Sequence, residues 1–169
     1  NPADRARDAW RHPAESLAFC QELFAPYLGG HRLMSNESVW RTFETVRNRS
    51  WHCRVGEQDL VLVGDAAHTA HFSIGSGTRL ALDDAIALAK AFVASPDDRA
   101  AALAAYEGDR QPIVERFQEV ATDSARYFES VSRYLGFAPE PFAFNLLTRS
   151  GRIGHNNLTA RDPVLVNRV

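Results

Sequence analysis

The stretch from Leu60 to Ala89 changes its residue types three times, and no other part of the chain constrains the fold as strongly. It begins with an apolar run, Leu60 to Val63, which ends in Gly64 and Asp65. A short segment with two glycines, Gly75 to Gly77, follows and leads into an alanine- and leucine-rich pattern with helical spacing. The order predicts a buried strand, a loop and a helix, with a carboxylate where the strand ends.

This arrangement of a carboxylate and glycines predicts a ligand site. Open α/β folds bind ligands outside the carboxyl ends of their strands, where the Asp65 carboxylate would accept hydrogen bonds from ligand hydroxyls. Glycines between Ile74 and Thr78 let backbone N–H groups approach an electron-rich ligand, and the helix dipole adds about half a positive charge there. Taken singly, each piece is more often a simple turn or a flexible loop. The joint pattern suits a polyol joined to an anionic ring or a phosphate.

The joint pattern resembles the second FAD-binding motif of the single-component flavoprotein aromatic hydroxylases, the group that includes para-hydroxybenzoate hydroxylase. The matching positions are Gly64-Asp65-Ala66-Ala67-His68, Gly75-Ser76-Gly77, Asp84-Ala85 and Leu88. The resemblance implies that Asp65 binds the ribityl chain of FAD, and that the loop lies against the pyrimidine end of the flavin. The cofactor-binding positions implied are Gly64, Asp65, Gly75, Ser76, Gly77 and Thr78. His71 and Phe72 would lie toward the isoalloxazine ring and bind the substrate.

Two positions depart from the usual pattern of that family, which commonly has Pro where this chain has Phe72 and Asn where it has Arg79. With these departures, the motif is most similar to members that hydroxylate aromatic acyl-CoA thioesters, such as salicylyl-CoA 5-hydroxylase and the aminobenzoyl-CoA monooxygenases. The segments Leu147–Ile153 and Arg161–Pro163 resemble the same subgroup. The substrate expected is therefore a small aromatic compound, foremost an aroyl-CoA thioester.

The resemblance implies an α/β (α+β) chain that is part of a Rossmann-like FAD-binding fold, with a few strands followed by long C-terminal helices. No GxGxxG fingerprint for the ADP half of FAD occurs in the sequence, which begins Asn1-Pro2. We therefore interpret residues 1–169 as the C-terminal portion of a longer flavoprotein. On its own, this portion is expected to hold FAD poorly and to be inactive. Residues 1–55 would end the substrate-domain segment, 56–95 carry the second FAD motif, and 96–169 form the C-terminal helices and tail.

The reaction implied is a monooxygenation in which NAD(P)H supplies electrons, O₂ supplies the oxygen atom and FAD carries the chemistry. No catalytic side chain is expected within this chain. Two alternatives remain open at this point: a non-catalytic helical assembly domain with a decayed flavin motif, and a flavin-dependent halogenase or reductase of the same fold.

Charge and composition restrict the partners. A net charge of -2 and a pI near 6.3 argue against nucleic acid or an anionic membrane as the main partner. Cys20 and Cys53 lack CxxC spacing, and no membrane-length apolar run or signal peptide occurs, which favours a cytoplasmic protein with reduced thiols. A homo-oligomer is compatible with the sequence.

Other polar residues have a structural interpretation beside the functional one. His68 is expected to support the loop, and Asp84 to act in packing and hydrogen bonding. The basic cluster of Arg47, Arg49 and Arg54 is expected at a solvated edge, with a CoA phosphate or the FAD pyrophosphate as the alternative ligand. The six histidines lack the ligand spacing of a metal site, and Gly75-Ser76-Gly77 lacks the frame of a serine nucleophile.

Periodicity predicts the remaining elements. Helices are expected at residues 13–28, 77–93 and 137–148, together with a long helix from 99 to about 131 that Pro112 kinks near residues 109–111. Strands are expected at residues 38–46 and 51–54, and residues 149–169 are expected to form an irregular tail.

Overall fold

The computed structural model describes residues 13–36 and 42–169, which fall into two compact units that divide between Phe43 and Glu44. In the first unit, helix α1 spans Pro13–Phe24 and is followed by a 3-10 turn, Ala25–Tyr27. The Gln21 side chain fastens the next segment, because it accepts from the Leu33 N–H at 2.6 Å and donates to the His31 carbonyl at 3.2 Å. The helix predicted for residues 13–28 is thus confirmed, with its last part wound as a 3-10 turn.

The second unit opens with a hairpin of two antiparallel strands, β1 (His52–Val55) and β2 (Gln58–Val61). Its tight turn uses Gly56 at φ +62°, a backbone conformation that glycine adopts without steric cost. Only alternate positions of β2 face inward, and Leu60 is 49% exposed, so the expectation of a fully buried strand is wrong.

Helices make up most of the second unit, as α2 (Gly77–Ala94), α3 (Arg99–Glu129), α4 (Pro139–Thr148), α5 (His155–Arg161) and α6 (Pro163–Val166). Asp98 caps α3, since its carboxylate accepts the Ala101 N–H at 2.9 Å. Helix α3 continues through Pro112 as one element and packs along α2. Between them lies the core around Trp51, Leu80, Tyr106 and Val114. No helix among residues 13–36 and 42–169 combines the length and apolarity needed to cross a membrane.

The predicted strand at residues 38–46 is wrong where it can be compared. Residues 37–41 lie outside the described residues, and residues 42–46 form no strand. Contacts with the loop after β2 occupy the backbone of Val46: its N–H donates to the Thr69 hydroxyl at 2.7 Å, and its carbonyl accepts from the Thr69 N–H. The Gln118 amide also donates to the Val46 carbonyl at 2.8 Å. A side chain and a loop thus take the bonds that a neighbouring strand would need.

The irregular tail predicted for residues 149–169 is also wrong, because α5 and α6 lie within it. Asp162 caps α6, since its side chain accepts the Leu165 N–H at 2.9 Å, and within α5 the Asn157 side chain accepts the Gly154 N–H at 3.1 Å. Pro163 follows Asp162 at the first helical position, where its missing N–H costs nothing. The α+β class is confirmed in its coarse form, with one two-stranded sheet in the described part of the chain, while the Rossmann-like arrangement stays a prediction.

Candidate functional site

Asp65 lies in a 3-10 turn, Gly64–Ala66, which follows β2 after two further residues. Its side chain is exposed and makes no hydrogen bond or ion pair with any residue in the described ranges. A carboxylate left open in this way at a turn is available to accept hydrogen bonds from a ligand's hydroxyl groups.

Gly64 places that turn directly on helix α2. Its φ is +59°, and a Cβ built on it would lie 3.0 Å from the Cβ of Ala81 in α2. Its N–H also donates to the Asp84 carboxylate at 3.2 Å. Only glycine satisfies both the left-handed backbone and the close approach, so this residue fixes where the Asp65 carboxylate stands.

Asp84 is completely buried and binds the turn that carries Asp65, through the Gly64 N–H. Its Oδ1 accepts from Arg110 Nε at 2.8 Å, and its Oδ2 accepts from His68 Nε2 at 2.7 Å. Burial raises the pKa of Asp84, but the hydrogen bonds from His68 and Arg110 outweigh it and hold that pKa below its usual range. The expected packing and hydrogen-bonding role of Asp84 therefore has a specific form, an ion-pair network beneath the turn.

His68 supports the loop as expected, but through the Asp84 carboxylate rather than through the backbone. Its ring packs against the Trp51 ring, with 5.1 Å between the centroids. Arg110 completes the network from α3, and its Nη2 is buried without a hydrogen-bond partner among the described residues. Arg110 gave no signal in the sequence, since a helical arginine 26 residues from its partner looks like an ordinary surface residue.

The glycine loop, defined as Phe72 to Gly77, runs between Asp65's turn and helix α2. It contains a 3-10 turn, Phe72–Ile74, and Gly75 at φ +61°, and α2 begins at Gly77. A Cβ built on Gly75 or on Gly77 would meet no atom within 4 Å, so the outer face of the loop is open. Ser76 gives the helix no capping bond, because its hydroxyl donates to the Ile74 carbonyl at 3.3 Å. The first N–H groups of α2 therefore remain available to an electron-rich ligand.

Two arginines after α4 donate hydrogen bonds to the glycine loop. Arg149 donates to the Ser73 carbonyl at 2.9 Å, and Arg152 donates to the Ser76 hydroxyl at 3.2 Å. Arg149 is itself held by the Ser124 hydroxyl at 3.0 Å. The sequence interpretation missed these contacts because it treated the segment as irregular, although Arg149 and Arg152 belong to the stretch that carried the resemblance.

His71 and Phe72, the expected substrate-binding residues, stack on each other with 4.4 Å between ring centroids. Phe72 is 73% exposed, and His71 Nδ1 accepts from the Ser73 N–H at 3.2 Å. Their role toward a substrate stays a prediction. The three basic residues Arg47, Arg49 and Arg54 are exposed, and their expected ligand likewise stays a prediction.

The residues present fit the flavin nucleotide that the resemblance implies. The glycine loop offers an open face and leads to helix N–H groups without a capping bond, which suit an anionic ring edge, and Asp65 offers an unoccupied carboxylate for a polyol. Both flank the N-terminal half of α2, since Gly64 touches Ala81 and the loop leads into Gly77. No group of three or more metal-ligating side chains exists in residues 13–36 and 42–169.

The sequence profile of the FAD binding domain family matches residues 6–121. The chain is 45% identical over 157 residues to a salicyloyl-CoA 5-hydroxylase of a Streptomyces species, covering 92% of this chain and 29% of that protein. It is 48% identical over 141 residues to a 3-hydroxy-4-methyl-anthranilyl-[aryl-carrier protein] 5-monooxygenase of Streptosporangium sibiricum, covering 83% of this chain and 38% of that protein.

A third relative is the protodeoxyviolaceinate monooxygenase of Chromobacterium violaceum, 35% identical over 82% of this chain and 36% of that protein. The chain thus spans between 29% and 38% of the length of these three curated relatives.

Proposed function

This chain belongs to the FAD-binding domain family, and from that premise we propose that the protein is an FAD-dependent monooxygenase that hydroxylates an aromatic substrate. One observation carries the proposal: the glycine loop is open and leaves the first N–H groups of α2 without a capping bond, beside an Asp65 carboxylate that has no partner among the described residues. The relatives add support, since those named above are a hydroxylase and two monooxygenases.

In this proposal, Asp65 accepts hydrogen bonds from the ribityl hydroxyls, and the loop from Gly75 to Thr78 lies against the pyrimidine end of the ring. FAD, once bound and reduced by NAD(P)H, supplies the chemistry that activates O₂ and transfers one oxygen atom. The chain itself supplies fixed positive potential, because the N–H groups that open α2 and the helix dipole stabilise negative charge at the ring edge.

The remaining residues of the site would hold the turn and the loop in position and shield the substrate from water. Gly64 and the Asp84 network fix the turn that carries Asp65, and Arg149 fixes the loop. His71 and Phe72 would border the substrate and exclude water from it, as an exposed aromatic pair at the edge of the loop can.

The proposed substrate is an aromatic acid carried as a thioester. Two relatives support this class by their names, one acting on a salicyloyl-CoA and the other on an anthranilyl group on an aryl-carrier protein. The departures at Phe72 and Arg79 belong to the same inference, because they distinguish this loop from the common pattern of the wider group.

The test compares two exposed aspartates in the purified intact protein. Asp65→Ala removes the proposed ribityl acceptor, and Asp97→Ala is the matched control, an exposed carboxylate in the turn between α2 and α3. We expect the first variant to lose FAD affinity by about tenfold or more, as befits one charged hydrogen-bond acceptor, and the control to keep it. FAD retained after desalting and titrated by flavin fluorescence is the measurement.

Undiminished FAD retention by Asp65→Ala would overturn the assignment of the site. A colourless wild-type protein that binds no FAD would favour the non-catalytic assembly domain instead. A flavin-containing protein that consumes NADH but gives no hydroxylated product from an aroyl thioester would favour a halogenase or reductase.

A further inference from the structure

Arg152 places a positive charge next to Ser76, the residue that precedes α2. We propose that Arg152 is a positioning residue that fixes a positive charge against the loop and thereby favours reduced over oxidised FAD. This inference rests on the proposed function, because it assumes that the loop faces the flavin.

Arg152 is held on two sides. Its Nη1 donates to Ser76 Oγ at 3.2 Å, and its guanidinium lies over the Phe117 ring at 5.3 Å from the centroid. Ser76 is buried at 5% exposure, and its carbonyl accepts the first bond of α2, from the Leu80 N–H at 3.0 Å. The guanidinium is therefore fixed one residue away from Gly77, where the open face of the loop meets the helix.

Two other arginines near the loop are paired with carboxylates. Arg79 in the first turn of α2 is 71% exposed and lies 3.6 Å from the Asp83 carboxylate. Arg116, which lines the same small groove as Arg152, lies 2.9 Å from the Glu119 carboxylate. Arg152 has no carboxylate within salt-bridge distance among the described residues. The charge of Arg152, like that of Arg149, therefore has no carboxylate partner in the described part of the chain, but of these two arginines Arg152 is the one bonded to Ser76.

Arg149 has a different task, although it comes from the same segment. Its three hydrogen bonds go to the Ser124 hydroxyl and to the carbonyls of Leu146 and Ser73, so they tie α3, α4 and the loop together. Arg149 holds the loop in place, whereas Arg152 touches the residue that opens α2.

Two-electron reduction of the flavin adds negative charge to its pyrimidine side, while the oxidised ring is neutral there. A fixed cation behind the loop stabilises the reduced form more than the oxidised form, and it acts together with the N–H groups of the helix start. Removing that cation should therefore lower the reduction potential of bound FAD without removing the hydrogen bonds that hold the nucleotide.

The experiment measures the midpoint potential of bound FAD in the intact holoprotein, alongside FAD retention. Arg152→Gln removes the charge, Arg152→Lys keeps it, and Arg116→Gln removes an equal charge from the same groove. We expect Arg152→Gln to shift the equilibrium between oxidised and reduced FAD about three- to tenfold toward the oxidised form, about 15 to 30 mV for a two-electron couple. Arg152→Lys and Arg116→Gln should stay close to the wild type.

An unchanged potential in Arg152→Gln, or equal shifts in all three variants, would overturn the proposal while leaving FAD binding intact. If Arg152→Gln fails to hold FAD, Ser76→Ala decides, since it removes the hydroxyl that Arg152 binds, together with that hydroxyl's bond to the Ile74 carbonyl. A smaller shift in the same direction supports the proposal, and no shift overturns it. Absence of FAD from the wild type would instead overturn the proposed function.

Discussion

Two aspartates, one within α2 and one in the turn that packs on it, behave in opposite ways. Asp65 stands in the turn after β2, exposed and without a described partner, whereas Asp84 is completely buried and binds three groups. The buried carboxylate accepts hydrogen bonds from groups of the protein, whereas the exposed one can still accept them from a ligand. A family motif contains both, and only their surroundings separate the residue that stabilises from the residue that binds.

The largest effect should follow from Asp84→Ala. This change leaves Arg110 as a buried charge without a partner and frees the Gly64 N–H, so we expect a loss of about 3 to 5 kcal/mol in the free energy of unfolding. Urea unfolding of the purified protein measures it. Asp83→Ala is the control, since Asp83 is 41% exposed and pairs only at 3.6 Å with Arg79, a kind of pair worth about 1 kcal/mol or less. Equal losses would contradict the comparison.

Gly64→Ala should come next, because the added Cβ meets Ala81 and the backbone is left-handed. We expect a loss of about 2 to 4 kcal/mol, together with weaker FAD retention as the turn carrying Asp65 moves. Gly56→Ala has nearly the same φ, +62°, but open space around it, and should cost only about 1 kcal/mol. Thermal unfolding of both variants isolates the contact with α2, and matching losses would show that it is unimportant.

Glu107 tests how far a half-buried, hydrogen-bonded carboxylate sets the stability of the protein in acid. Burial raises its pKa, but hydrogen bonds from the Trp51 N–H, His52 and Ser50 lower it by more, so the net pKa lies below the usual range. A carboxyl whose pKa is depressed on folding stabilises above its unfolded pKa, and this stability is lost as the pH falls through the folded pKa.

We therefore expect Glu107→Gln to cost about 1 to 3 kcal/mol at neutral pH and progressively less in acid. Unfolding free energies measured between neutral pH and pH 3 would show the two curves converging. Parallel curves would mean that Glu107 titrates with the same pKa in the folded and unfolded protein.

The smallest effect on stability belongs to Asp65→Ala. An exposed side chain without partners should change the unfolding free energy by about 0.5 kcal/mol or less, while FAD retention falls. A stability loss comparable to that of Asp84→Ala would place Asp65 in the framework and remove the distinction between the two carboxylates.

Local patterns predicted the elements that local forces determine. The helix starting at Gly77 and the long helix from Arg99 follow from periodicity within a few residues. The strand predicted at residues 38–46 is absent from residues 42–46, where Gln118, 72 residues away, binds the Val46 carbonyl. A contact at that separation leaves no periodic signal.

The residues of the candidate site likewise divide into those that local sequence identifies and those that only the fold brings together. Asp65, Gly75 and Gly77 could be found because the motif is contiguous, whereas Arg110 and Arg152 could not, since only the fold brings them to Asp84 and Ser76. Asp162 before Pro163 did carry a usable local signal for a helix start, and the helix it caps was overlooked.

Both clamps on the glycine loop, Arg149 to Ser73 and Arg152 to Ser76, join residues 76 positions apart. During synthesis, the loop therefore leaves the ribosome well before the residues that complete it. Closing so long a stretch of chain costs entropy that only late contacts repay, so the loop should be among the last parts to settle as the protein folds. A nascent chain stalled before Arg149 would carry every residue of the motif and still lack its finished shape.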